Sequence, residues 1–248
     1  MVKGLDTFQK YFADYEEQYV LIGGAACDIL FESNEVNFRA TRDLDMVLIV
    51  EALTPEFGEK FWEFIVDGKY RNKATNGSNP QFYRFDKPED DEFPKMIELF
   101  CRSDFKLKNA KGITPIHIDD EVSSLSAILL NDDYYKALLN GKEVRNGLSV
   151  LRPEYIILFK AKAYLDLQKR KDSGEKLDSS DIKKHKKDVL RIASELMLEK
   201  VEELPIAVDA DIHSFIDLLE QEPFDQNSLN KYGLKNEDVV ELLKRVFG

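Results

Sequence analysis

The stretch Phe38–Val50, FRATRDLDMVLIV, sets two aspartates, Asp43 and Asp45, at the mouth of a run otherwise as apolar as a buried strand. Burying an unpaired carboxylate is costly, so the pair needs a reason. Residues two apart in a strand project from the same face. Asp43 and Asp45 therefore point together, while Leu44 points to the opposite side. Two carboxylates on one face repel unless something positive stands between them. A divalent cation meets that need, and Mg²⁺ is commonly held by one or two carboxylates together with substrate phosphates.

A third acid would complete such a site, and the candidate is Glu98 in KMIELFC (Lys95–Cys101). It stands between Ile97 and Leu99 in a second apolar run and also needs a partner. If its strand lies beside that of Asp43 and Asp45, three carboxylates converge. Two metal ions about 3.5–4 Å apart would then activate an attacking hydroxyl and stabilise a departing pyrophosphate. The same residues suit plainer roles: a charged strand mouth for the pair, and an edge-strand gatekeeper for Glu98.

Working outward, YVLIGG (Tyr19–Gly24) reads as a short buried strand ending in a glycine pair, and AACDILFES continues it as a helix. Gly23 and Gly24 thus lie at a strand-to-helix turn. There backbone N–H groups can approach a triphosphate at a helix N-terminus; a plain tight turn uses the same residues. Leu5–Glu16 carries Phe8, Tyr11, Phe12 and Tyr15 at helical spacing. Pro55 opens a helix bearing Phe57, Phe61 and Phe64 along one side. KATNGSNPQ is a turn cluster, and the acidic loop DKPEDDEFP separates the strands FYRF and KMIELFC. ITPIHI and SLSAILL read as further strands. Irregular interleaving of strands and helices predicts an α/β (α+β) fold with a mixed sheet, not a doubly wound repeat. From Pro153 onward, PEYIILFKAKAYLDLQKR and DIKKHKKDVLRIASELML are long helices, followed by two or three shorter ones. The expected organisation is an α/β domain over residues 1–150 and a helical domain over 151–248.

Bulk properties exclude several classes. The chain has 248 residues, 43% hydrophobic and 33% charged, which are globular values. A formal charge of −12 argues against bulk DNA binding. Two cysteines, Cys27 and Cys101, are too few for a disulfide scaffold or a thiolate metal site. No apolar leader or membrane-length segment is present, so the expectation is a cytoplasmic protein with no membrane partner. Ser/His/Asp order, Walker loop, zinc spacing and dinucleotide fingerprint are all missing, and His117 and His213 have no acid at useful spacing.

LIGGAACDIL, FRATRDLDMVLIV and MIELF, taken together, resemble the polymerase-beta-like nucleotidyltransferase superfamily. Its members carry a Gly-Gly or Gly-Ser turn, an Asp-x-Asp on the next strand and a third acid on a later one. The long gap from Gly24 to Asp43 and the form Arg39-x-Thr41-x-Asp43-Leu44-Asp45 are similar to the branch of abortive-infection (AbiEii-type) toxins of toxin–antitoxin systems. The likeness runs through SSLSAILLNDDYY and FKAKAYLDL to DIKKHKKDV, about residue 190. Gly24 stands where many members have a phosphate-touching serine. The resemblance implies a mixed-sheet nucleotidyltransferase domain closed by a helical domain, an NTP substrate and two Mg²⁺ ions on Asp43, Asp45 and Glu98. It also implies nucleotide contacts from Gly23, Gly24 and Thr41.

In the first long helix Ile156, Lys160, Ala163 and Leu167 share one side, so Lys160 is a cation on a partly apolar face. It either meets an anion, as a desolvated lysine must to keep its proton, or runs its stem along the core edge. The resemblance places a phosphate-contacting lysine in this helix, with Lys162 the second choice. In the next helix Ile182, His185, Val189, Ile192 and Leu196 form a stripe, so His185 faces inward. Lys183, Lys186 and Lys187 are left to solvent, or to an RNA end or another polyanion. Asp188 is four residues from Lys184, an ordinary helical pair. In relatives with KKHKxDV this cluster borders the substrate cleft, which adds Lys184, His185 and Asp188 to the nucleotide-binding candidates.

Two functions compete. One is an Mg²⁺-dependent nucleotidyltransferase moving an NMP to an acceptor hydroxyl on a tRNA end, a protein or a small molecule; such an enzyme would suit the toxin of a pair with an antitoxin partner. The other is a catalytically silent nucleotide-sensing or partner-binding protein of the same fold. The intact acid set favours the first.

Overall fold

The computed structural model describes residues 3–32, 43–72, 82–100, 128–129 and 131–248. Thr41, Cys101, His117, the turn cluster at 73–81 and the expected strand at 113–118 lie outside them. The chain divides into two compact units, Met1–Ile118 with Lys142–Leu151, and Asp119–Gly141 with Arg152–Gly248.

The first unit is built on a sheet of β1 (Tyr19–Ile22), β2 (Asp43–Leu48), β3 (Arg71–Asn72), β4 (Phe82–Asp86), β5 (Met96–Phe100), β6 (Lys142–Arg145) and β7 (Leu148–Leu151), in the order β3-β4-β5-β2-β1-β7-β6. β2 runs parallel to β5 and β1 parallel to β7, while the remaining neighbours are antiparallel. The sheet is therefore mixed, and the protein is a mixed α/β fold. The run DLDMVL explains its own place: Leu44 and Met46 are buried while Asp43 and Asp45 are half-buried. β6 and β7 form a hairpin that the strand reading did not anticipate. Its turn residues, Asn146 and Gly147, have φ of 52° and 69°, the left-handed pair that matches the twist of two flanking strands.

Helices α1 (Leu5–Phe12), α2 (Gly23–Glu32) and α3 (Pro55–Asp67) accompany the sheet. Thr54 caps α3 by accepting the Phe57 N–H at 3.3 Å, with Pro55 in the first turn. Phe57, Phe61 and Phe64 are fully buried, as their spacing predicts. Phe8 meets Tyr19 of β1 edge-on at 5.5 Å, and Phe61 meets Phe85 of β4 at 5.6 Å. α1 and α3 thus cover one face of the sheet with aromatic rings. By strand alternation that face also holds Leu44 and Met46. Asp43, Asp45, Glu98 and Arg84 belong to the other face.

The second unit contains α4 (Asp132–Asn140), α5 (Pro153–Asp172), α6 (Ser179–Glu195), α7 (Ile206–Gln221), α8 (Gln226–Tyr232) and α9 (Asn236–Phe247). Beyond the expected boundary near residue 150, this helical unit also takes α4. The reason is polar as well as apolar: Tyr134 donates to Asp211 of α7 at 3.0 Å, and Asp133 accepts the Ala207 N–H at 2.9 Å. Ile128 and Leu129, expected within a strand, are helical and buried. A short apolar run does not by itself distinguish a buried strand from a buried helix.

Phe64 anchors the aromatic layer, with ring centroids 5.7 Å from Phe8, 5.4 Å from Phe12 and 5.0 Å from Phe93. Phe64→Ala is expected to lower stability by about 3–5 kcal/mol, read from the urea midpoint; a loss below about 1 kcal/mol would contradict this packing.

Candidate functional site

The register of four neighbouring strands assembles the site. Asp45 of β2 stands beside Glu98 of β5, Glu98 stands beside Arg84 of β4, and Asp45 stands beside Ile22 of β1. Cross-strand partners project from the same face. Ile22, Asp45, Glu98 and Arg84 therefore make one row across the sheet, with Asp43 two residues along β2. The three acids predicted from the sequence do share a face.

Glu98 is buried, 6% exposed. Its Oε1 accepts from Arg84 Nε at 2.8 Å and also from Arg84 Nη2. Both donors converge on that single oxygen, which leaves Oε2 outside the arginine pair. Burial pushes the Glu98 carboxyl above the usual carboxylate range, the Asp43 charge adds to this, and Arg84 and a hydrogen bond with Asp45 pull against it. Desolvation wins over a guanidinium in contact, a measure of how little water reaches this carboxyl.

Gly23 opens α2 directly from the end of β1, with φ +62°. A Cβ at this position would overlap Asp45 Oδ2. The residue must be glycine twice over, for its left-handed backbone and for the space a carboxylate occupies. Gly24 follows in the first turn of α2 and is half-buried, like Gly23.

Hard oxygen donors on one face suit Mg²⁺, and Asp43 with Asp45 are the number of carboxylates with which proteins commonly hold it. Among the described residues, no three His, Cys, Asp or Glu side chains are grouped as they stand so as to hold a metal ion. By donor chemistry alone Asp43 and Asp45 suit such an ion, and Glu98 adjoins them with one oxygen committed to Arg84.

The candidates of the helical unit have protein partners. Lys160 Nζ lies 3.1 Å from Asp188 Oδ2, both side chains being largely buried. Its anion is thus a carboxylate of α6, a pairing that helical spacing from Lys184 does not suggest. Lys162 Nζ lies 3.1 Å from both Asp166 and Asp211. Burial pulls its pKa down, but the hydrogen bonds and charges of the two acids together outweigh that and hold the ammonium above its ordinary value. His185 is buried, as its stripe predicts, and Lys184 is half-buried. Lys186 is not left to solvent: it donates to the Pro223 carbonyl at 3.2 Å, with the rings of Tyr164 and Phe224 at 5.7 and 5.5 Å. Lys183 and Lys187 remain exposed.

Arg84 escaped the sequence reading. The signal was present: a charged residue between Tyr83 and Phe85 in an apolar strand poses the same question as Glu98, and opposite charges directly across a strand pair answer each other.

No family model matches the chain, and no curated protein matches it by sequence. Among solved structures, an antigenic nucleotidyltransferase-like protein from Paracoccidioides brasiliensis is similar at a TM-score of 0.47 and 15% identity, over 97% of this chain and 93% of that one. A likeness at that level carries no weight for function, which is read from the carboxylate row. No helix among the described residues is long and apolar enough to cross a membrane.

Gly23→Ala is expected to lower the urea midpoint by the equivalent of about 1–2 kcal/mol, from the left-handed backbone alone. It is also expected to weaken divalent-ion binding by displacing Asp45. An unchanged midpoint with unchanged ion binding would contradict the contact between Gly23 and the carboxylate.

Proposed function

We propose that the chain is a Mg²⁺-dependent nucleotidyltransferase of the polymerase-beta-like superfamily, transferring an NMP from an NTP to an acceptor hydroxyl. The observation that carries this reading is the in-register pairing of Asp45 with Glu98, with Asp43 on the same face and Gly23 packed against the Asp45 carboxylate. Three acids on one sheet face are costly for folding alone and useful for holding cations against a triphosphate.

In this reading Asp43 and Asp45 would hold the ions, two of them once nucleotide is present. When bound, Mg²⁺ would offset charge on the triphosphate and on the departing pyrophosphate. Glu98, its basicity raised by burial, takes the proton of the acceptor hydroxyl at Oε2. The hydroxyl oxygen forms its bond to the α-phosphorus as the bond to the pyrophosphate oxygen breaks. Gly23 and Gly24 leave the backbone free of side-chain bulk where the phosphates approach, and Thr41 is a further nucleotide contact that the motif resemblance implies. On the helical unit, a phosphate reaching Lys160 or Lys162 would exchange one anion for another, since each lysine already has a carboxylate partner. Lys184, His185 and Asp188 would flank that exchange. A tRNA end, a protein side chain or a small hydroxylated molecule would serve as acceptor. Action in the cytoplasm as the toxin of a pair, restrained by an antitoxin, is the biological setting that the motif resemblance supports.

One observation favours the second reading, a catalytically silent nucleotide-sensing or partner-binding protein: Arg84 satisfies Glu98 without any metal. The two readings separate in one assay. Incubation with each labelled NTP, Mg²⁺ and total tRNA is expected to give label transfer. The doubly substituted Asp43→Asn, Asp45→Asn protein is expected to lose it by on the order of 10²–10³-fold or more. Transfer persisting in that variant would refute the mechanism, and nucleotide binding without transfer in the unaltered protein would favour the silent reading.

A further inference from the structure

The row on the sheet contains a permanent cation that neither acid spacing nor the glycine turn calls for. Arg84 sits directly across from Glu98, and both of its contacting N–H donors fall on Oε1. Its side chain is itself largely buried, 20% exposed, against 8% for that of Glu98. A buried ion pair of this kind is weak evidence for stability, because desolvation offsets much of the attraction. Its electrostatic consequence for the neighbouring acids is large. Adjacent strands are about 4.8 Å apart, so Arg84 lies only two strands from Asp45. It brings a positive charge to a face that otherwise carries three acids.

We propose that Arg84 is a positioning residue for the carboxylate row: it serves as the resident counter-ion of Glu98, fixing that carboxylate with Oε2 left outside the pair. The same charge holds down the affinity of the nucleotide-free chain for divalent cations. The two effects pull in opposite directions on removal of the arginine. Without Arg84 the face loses a positive charge and repels a divalent ion less, while Glu98 loses the fork that orients it. A residue that merely supported the strand would weaken ion binding and transfer together.

This inference rests on the reading of Asp43 and Asp45 as metal ligands, not on the transfer reaction. The test is a titration with Mn²⁺, without nucleotide, followed by the electron paramagnetic resonance signal of the free ion. Arg84→Gln is expected to tighten Mn²⁺ binding by at least about fivefold and, in the labelled-NTP assay, to lower kcat by about tenfold or more with KM little changed. Arg84→Lys, which keeps the charge and loses the fork, is expected to bind Mn²⁺ within about twofold of the unaltered protein and to restore part of kcat. Unchanged or weaker Mn²⁺ binding by Arg84→Gln with its urea midpoint retained would overturn the proposal. So would no Mn²⁺ binding by either protein.

Should Arg84→Gln fail to fold, Glu98→Gln is compared with the double variant carrying Arg84→Gln and Glu98→Gln, a neutral pair of the same shape. Tighter Mn²⁺ binding by the double variant supports the proposal, and equal binding overturns it. Absence of label transfer from the unaltered protein, with the Mn²⁺ shifts as stated, would remove the enzyme and leave the role of Arg84 intact.

Discussion

The constraint on which the rest of the α/β unit turns is the parallel pairing of β2 with β5. That register, Asp45 beside Glu98, puts two acids on adjacent strands with Asp43 close behind. Such a face cannot be left to itself, and three features answer it. Arg84 comes from the next strand to take one oxygen of Glu98. Gly23 withdraws its own side chain so that the Asp45 carboxylate has somewhere to lie. The aspartates keep partial access to water, unlike the buried Leu44 between them. The opposite face pays no such penalty: aromatic rings of α1 and α3 close over it, and the apolar half of each strand is consumed there. A single alternation of side chains thus gives the sheet one face for packing and one for charge.

In the helical unit the same physics resolves differently. Lys160 and Lys162 are cations on a helix that is buried along most of its length, and each is matched by carboxylates of its own unit. Lys186 is matched by backbone carbonyls and two rings. Within the basic run that looks in sequence like a surface for polyanions, Lys186 is matched internally while Lys183 and Lys187 stay exposed. Among the described residues, the row of three acids lies on the sheet.

Much of this was legible in the chain. The period of Phe57, Phe61 and Phe64 gave a helix face, the apolar runs gave β1, β2, β4 and β5, and the two-residue spacing put Asp43 and Asp45 on one side. What no local pattern supplies is strand order. Glu98 lies more than fifty residues beyond Asp45, and only their long-range pairing makes them neighbours. The partner of Lys160 is hidden for the same reason: Asp188 belongs to another helix, whereas Lys184 is the neighbour that helical spacing offers. Other signals were local and were passed over. Asn146-Gly147 between alternating residues is a hairpin turn, and Arg84 in an apolar strand asks for an acid across the sheet. Ile128 and Leu129 are the reverse case, a short apolar run that packing placed in a helix.

The central claim is that Asp43, Asp45 and the oxygen of Glu98 outside the arginine pair gather around divalent cations when a triphosphate is present. A crystal structure of the protein soaked with a non-hydrolysable NTP and Mg²⁺ tests it most directly. The account predicts metal density in contact with the Asp43 and Asp45 carboxylates, with the triphosphate beside Gly23 and Glu98 still joined to Arg84 through Oε1. Nucleotide bound elsewhere, or bound at this face with no ion on either aspartate, would contradict it.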